Sequence, residues 1–422
     1  MALFQRTTRP LTTIFANIAR MSTKSEPCRF GLILDADGVI TRGRDLLPGS
    51  KEALHMITDV DGRFKIPTVF VTNASNTMET TEAVMLSRMI GVHVDPNQVV
   101  MAHSPLRLFT EFHEKPVLAC GQGPVRDIAF RLGFRDVTTI DDLRTFLPQL
   151  DVVDSRRRRM QKYSLDLHDI KPTKWIDHGF YPLEAILLLG EPLNWESALQ
   201  LLIDVLTTNG LKEFKSSKIN YPHIPTLACN LDLFWMGDRD LPMPRFGHGI
   251  FLQCLEKLYK RMTGNDLRYK AICGKPSEVT YMYATHLIEE RAEQMGLPPP
   301  RKVYVLGDNT ESDILGANLF EHHLQTGERG RFDNVDLATL RKDYNSKNKT
   351  SSEIKHCFST LIETGVYAEM NQKSLIEQSV STLYGRLTHR ELGEFKTPQF
   401  VEKNLSTAIR MICESEKFNF AL

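Results

Sequence analysis

The chain has no surplus of charge of either sign. Lysine plus arginine number 52 and aspartate plus glutamate 52 in 422 residues, a formal net charge of zero. Broad binding to nucleic acid or to an anionic membrane needs a positive excess, so neither is expected. Long apolar runs are also missing: none approaches the roughly 20 residues that span a bilayer. The seven cysteines (Cys28, Cys120, Cys229, Cys254, Cys273, Cys357 and Cys413) are scattered, odd in number and contain no Cys-x-x-Cys pair. They read as reduced thiols, mostly buried, in a reducing compartment. Residues 1–25 contain no acidic residue but carry Arg6, Arg9, Arg20 and Lys24, with Leu11, Ile14, Phe15 and Ile18 at helical spacing. That is the composition of a mitochondrial presequence. Residues 1–26 are therefore set apart from the fold, and a mitochondrial location is expected.

What is present describes an ordinary globular protein: 41% hydrophobic and 25% charged residues, in a chain long enough for two domains with appendages. The stretch from Phe30 to Gly38 organises it. Gly31–Leu34 is a small and apolar run, as in a strand buried on both faces. It stops at Asp35 and Asp37, followed by Gly38. In an open parallel sheet the chemistry lies just past the carboxyl ends of the strands.

The same grammar recurs. A helix is predicted from Pro48 to Thr58, then a buried strand at Val69–Val71 that ends at Thr72-Asn73. Another helix carries Leu86, Met89 and Ile90 inward and stops at Gly91. Strand, helix, strand, helix is the signature of a parallel sheet. From 105 to 230 a smaller alternation appears, with strands at Pro116–Cys120 and Ala185–Leu189. A helix with Asn194 at its N-cap and Leu199, Leu202, Ile203 and Leu206 on one face follows. The predicted architecture is a doubly wound, Rossmann-like parallel sheet with a second α/β domain inserted into it. The run Ser155–Arg159 reads as a solvated loop. From 231 the first domain is expected to resume. A helix near 248–262 precedes Gly274-Lys275-Pro276-Ser277, and a strand at Val303–Leu306 ends at Gly307-Asp308, five residues before Asp313. Residues 321–352 read as a polar surface insertion, Thr360–Tyr367 as a last strand, and 401–415 as a helix in the tail.

Four strand-end clusters thus stand out: Asp35/Asp37, Thr72/Asn73, Lys275, and Asp308/Asp313. Together they meet the demands of phosphoryl transfer to a carboxylate. Asp35 would be the nucleophile and a metal ligand. Asp37 would be the general acid and base, its carbonyl offering a further ligand. Thr72 and Asn73 would donate to the phosphoryl oxygens, and Lys275 would offset charge on Asp35 and the phosphate. Asp308 and Asp313 would complete an oxygen site suited to Mg²⁺.

These stretches resemble the four signatures of the haloacid dehalogenase superfamily: Asp35-Ala36-Asp37-Gly38-Val39, Val71-Thr72-Asn73, Gly274-Lys275-Pro276 and Gly307-Asp308 with Asp313. The Gly-Lys-Pro form and Glu363-Thr364-Gly365-Val366-Tyr367 resemble the branch containing NagD and pyridoxal phosphate phosphatase. That resemblance implies a type-2 α/β cap at 105–230, a core at 27–104 and 231–422, and hydrolysis of a small phosphorylated metabolite. A homodimer through the cap is a further expectation. Where relatives of that branch carry Arg and Thr in the acidic motif, this chain has Asn309 and Glu311-Ser312, so their substrates do not transfer. The rival reading is a non-catalytic mitochondrial binding protein on a retained hydrolase scaffold.

Overall fold

Two parallel sheets organise the protein, each built from short apolar strands separated by amphipathic helices. The structure is a computed structural model describing residues 27–43, 45–152, 181–212, 219–235, 237, 241, 243–327, 352–366 and 393–418. The expected presequence, the arginine run at 155–159 and residues 328–351 of the expected insertion lie outside these.

The first sheet opens with β1 (Phe30–Leu34), β2 (Thr68–Val71) and β3 (Val99–Val100). All five β1 residues and all four of β2 are buried, as continuous apolar strands covered on both faces must be. Between them lie α1 (Ser50–Met56) and α2 (Glu79–Ile90), the latter ending at Gly91 in the left-handed conformation. The second sheet begins with β4 (Pro116–Cys120), α3 (Val125–Arg131), β5 (Asp136–Thr139) and α4 (Ile140–Phe146). It continues with β6 (Ala185–Leu188), α5 (Trp195–Thr207) and β7 (Thr226–Cys229). A short antiparallel hairpin, β8 (Phe234–Trp235) with β9 (Arg245–Phe246), follows, then α6 (His248–Thr263) and β10 (Ala271–Cys273). Asn194 does stand at the N-cap of α5, though its side chain makes no capping bond.

The order of the second sheet is β10-β7-β6-β4-β5, every pairing parallel. This moves the boundary expected at 230. The second sheet continues to Cys273, because Ala271–Cys273 pairs with Leu227–Cys229 and α6 packs Phe251, Leu252 and Leu255 into the same apolar cluster as α5. Only after Cys273 does the chain return to the first sheet. It does so through α7 (Glu278–Gln294), β11 (Lys302–Gly307), α8 (Leu315–Thr326), β12 (His356–Ile362), β13 (Phe400–Glu402) and α9 (Leu405–Ser415). The first sheet runs β13-β12-β11-β1-β2-β3, again all parallel.

Three further expectations shift. Residues 321–326 belong to α8 rather than to a polar insertion. The last predicted strand lies earlier in the chain: β12 starts at His356, four residues before Thr360, and ends at Ile362, with the chain turning at Glu363 and Tyr367 lying outside the described residues. The tail contributes an edge strand, β13, ahead of its helix. The seven cysteines are all free, six of them buried. Among the described residues no helix is long and apolar enough to cross a membrane.

β1 lies between β11 and β2, so chain direction across the sheet reverses at its carboxyl end. That is where an open α/β sheet leaves a crevice.

Candidate active site

The site is assembled where carboxyl ends of both sheets face one another. From the first sheet come Asp35 and Asp37 after β1, Thr72 and Asn73 after β2, and Asp308 after β11. From the second come Asp232 after β7 and Lys275 after β10. All seven line one crevice of about 240 Å³, together with Asp313.

Asp35 is buried, and one carboxylate oxygen accepts from the Ala36 amide at 2.9 Å. The Lys275 ammonium lies 2.5 Å from that carboxylate and 2.8 Å from Asp313. Asp35, Asp308 and Asp313 each offer an oxygen, and the three lie within 4.8 Å of one another. Asp313 reaches the group because a π-helical turn, Thr310–Ile314, carries it inward, a form common at functional sites. The Asn309 amide donates to Asp313 at 3.2 Å.

Three buried carboxylates against one ammonium leave two uncompensated negative charges, which a divalent cation would balance. Two features fit such an ion. The Asp313 Oδ1 atom is buried without a well-formed hydrogen bond, despite its nearness to Lys275. Two glycines also keep side chains away from Asp308: a Cβ on Gly38 would come within 2.2 Å of its Oδ2, and one on Gly365 within 2.0 Å. Both glycines adopt positive φ, 93° and 52°. The backbone amide of Val366 donates to Asp308 across the same gap.

The electrostatics follow from this crowding. Burial, then the charge of Asp313, raise the Asp35 carboxyl well above the usual range, and nearby Lys275 only partly offsets them. The same two causes push Asp308 up to about 7. Burial alone would lower Lys275, but Asp313 and Asp35 reverse that and hold it above an ordinary lysine, firmly charged.

Asp37 stands differently. Its side chain is open to the crevice, its carboxylate accepts from Thr41 Oγ1 at 3.4 Å, and it does not join the three-carboxylate group. The surrounding protein still raises it above the usual carboxylate range, against the pull of Lys275 and Thr41. A raised, accessible acid beside a buried carboxylate cluster is suited to carrying protons.

Thr72 is buried, with its hydroxyl accepting from the Ala74 amide at 3.0 Å, which leaves its own hydrogen free to donate. The Asn73 side chain is engaged by the protein itself. Its amide nitrogen donates to Asp232 at 2.8 Å and to the Lys275 carbonyl at 3.0 Å, while its oxygen accepts from the Lys275 amide at 2.7 Å. Both side-chain amide hydrogens are committed to protein partners, so the Asn73 side chain holds Lys275.

Asp232, Gly365 and Val366 were not singled out from the sequence as site residues. Asp232 had a readable signal, since Thr226–Cys229 is an apolar run ending at Asn230 and Asp232, the same pattern that exposed Asp35. Burial pushes Asp232 up to about 6, against Lys275 and the Asn73 hydrogen bond.

Comparison with known proteins agrees with this geometry. Residues 32–135 match the family described as haloacid dehalogenase-like hydrolase, and residues 272–345 match the related family described as HAD-hydrolase-like. The two matches contain Asp35, Asp37, Thr72 and Asn73, and Lys275, Asp308 and Asp313, respectively. The chain carries haloacid dehalogenase-like hydrolase domains over these two stretches. This hydrolase is 27% identical over 317 residues to a mitochondrial hydrolase of Saccharomyces cerevisiae, covering 69% of this chain and 85% of that protein. It is 31% identical over 306 residues to a cardiolipin synthase (CMP-forming) / mitochondrial hydrolase fusion protein of Schizosaccharomyces pombe. That match covers 71% of this chain and 48% of the fusion, so the chain spans about half of the fusion's length. Among solved structures it resembles NagD from Escherichia coli K-12, with a TM-score of 0.44 at 15% identity over 90% of this chain and 98% of that one.

Proposed function

We propose that this hydrolase cleaves small-molecule phosphate monoesters with a divalent cation, through an aspartyl-phosphate on Asp35. The observation that carries the reading is the convergence of Asp35, Asp308 and Asp313 within 4.8 Å, with the Lys275 ammonium against two of them.

The chemistry follows from what each side chain can do. An Asp35 oxygen attacks phosphorus as the bond to the ester oxygen breaks, and Asp37 gives that oxygen its proton. The phosphoryl group then resides on Asp35. Asp37, now ionised, takes a proton from a water that attacks phosphorus, which releases inorganic phosphate and restores both carboxyls. Lys275 offsets the negative charge on Asp35 and the transferring group, and the Thr72 hydroxyl donates to a phosphoryl oxygen. Asp35, Asp308 and Asp313, with the Asp37 carbonyl as a further ligand, would hold a cation such as Mg²⁺, which would supply the charge that lets an anionic nucleophile approach an anionic ester.

The crevice, about 240 Å³, has room for a small phosphorylated metabolite. Phe234, Trp235, Arg42 and Glu191 also line it. A mitochondrial location is part of the proposal, supported by the composition of residues 1–25 and the names of the two relatives.

The test is phosphate release from a panel of phosphorylated metabolites with Mg²⁺, run with wild type and Asp35→Asn. Turnover by wild type that vanishes in the variant supports the mechanism. Comparable turnover in both, or none in either, sinks it.

A further inference from the structure

We infer that Asp232 is a positioning residue for the hydrolytic reaction: from the second sheet it holds Asn73 of the first, and through Asn73 it fixes the peptide and ammonium of Lys275. This deepens the phosphohydrolase reading and rests on it for its kinetic consequence, though not for its geometry.

The chain of contacts is continuous. Asp232 accepts from Asn73 Nδ2 at 2.8 Å, a charge-assisted bond in a secluded crevice. Asn73 then grips Lys275 at both backbone groups, N–H and C=O, at 2.7 and 3.0 Å. Lys275 in turn reaches Asp35 at 2.5 Å. A primary amide can rotate about its last bond, exchanging its oxygen and nitrogen. In the exchanged orientation it would present N–H to N–H and O to O at the Lys275 peptide. Asp232, by accepting from the second Nδ2 hydrogen, reinforces the single orientation in which Asn73 matches Lys275.

Asp232 is itself held. Its amide donates to the Asn230 side chain at 2.9 Å, and the Asn230 amide donates to the Cys273 carbonyl, one strand away and two residues before Lys275. Its own carbonyl accepts from the Gly249 amide at the start of α6. A Cβ on Gly249 would lie 2.3 Å from the Leu231 carbonyl oxygen, and one on Gly247 would lie 2.2 Å from that of Asp232, so backbone packs directly behind the residue. The second sheet thereby supplies the chemical centre with two linked parts, Lys275 and the residue that orients its clamp.

The argument predicts dependence of one residue on another. With Asn73 absent, Asp232 has nothing to act through. The experiment is a double-mutant cycle in the full chain, with Asp232→Ala, Asn73→Ala and the pair, measuring kcat and KM for p-nitrophenyl phosphate with Mg²⁺. Asp232→Ala is expected to lower kcat by roughly 10- to 100-fold, the scale of a misplaced catalytic group. The double variant is expected to match Asn73→Ala within about twofold, because the pair acts as one unit. Asp232→Asn, which can still accept from Asn73, is expected to recover most of the loss. Additive losses, or no rescue by asparagine, overturn the inference. A crystal structure of Asp232→Ala decides it independently of turnover: displacement of Lys275 Nζ from Asp35 supports the role, and an unmoved Asn73 and Lys275 refute it. Wild type without phosphate release would instead refute the phosphohydrolase reading, and the crystallographic arm would still judge Asp232.

Discussion

Removing the cation should make the protein less stable as pH rises, and the structure gives the size. Asp308 is pushed up to about 7 by burial and by Asp313. An unfolded aspartate titrates near ~3.9. A carboxyl whose folded pKa is raised contributes stability that is fully present below the unfolded value and is lost as pH climbs through the folded one. The window here therefore runs from about pH 4 to about pH 7. At about 1.4 kcal/mol per pKa unit, roughly three units set a loss on the order of 4 kcal/mol for Asp308. Asp35 is shifted in the same direction, by burial and by Asp313. A cation binds the ionised carboxylates, competing with protons, so its stabilisation should grow over the same window. The assay is urea unfolding at about pH 5 and about pH 8, in chelator and in excess Mg²⁺, with Asp308→Asn as control. The expected result is a metal-free protein weaker at the higher pH, a Mg²⁺ increment that is larger there, and a flattened pH dependence in the variant. Metal-free stability that is level or rises with pH, or a Mg²⁺ increment equal at both, would refute the reasoning.

Other outcomes follow from the same geometry. Gly365→Ala places a methyl 2.0 Å from Asp308 Oδ2 at φ 52°, so it should cost about 1–3 kcal/mol in denaturant unfolding and sharply weaken Mg²⁺ affinity by calorimetry. Lys275→Met leaves three buried carboxylates without their ammonium. Removing one partner of such a group costs about 3–5 kcal/mol, to be read by urea unfolding at neutral pH in chelator. Asp37→Asn should slow esters with poor leaving groups far more than p-nitrophenyl phosphate. Equal loss across a leaving-group series would contradict its role as acid.

Much of the first sheet was legible because parallel strands covered on both faces must be continuous apolar runs. Phe30–Leu34, Thr68–Val71 and Lys302–Gly307 each end at chemistry-bearing residues. Local pattern also located α2, α5 and α6. What escaped was decided by contacts distant in sequence. Ala271–Cys273 is too short to declare its sheet, and only its pairing with Leu227–Cys229 assigns it to the second. β13 is a three-residue edge strand with Phe400 and Val401 exposed, so it carries no burial pattern to read. Asn73 offered the right chemistry for a phosphate, but partners 159 and 202 residues away determine what its amide does. Gly365 looked like part of a strand, whereas its role is to leave room beside Asp308.

The central claim is that Asp35 carries the phosphoryl group. The most direct measurement is acid quenching during turnover of a ³²P-labelled ester with Mg²⁺, followed by peptide mapping of the trapped label. Label on the peptide containing Asp35, absent from Asp35→Asn, is the expected result. Turnover with no acid-stable label, or with label on another residue, would contradict the account.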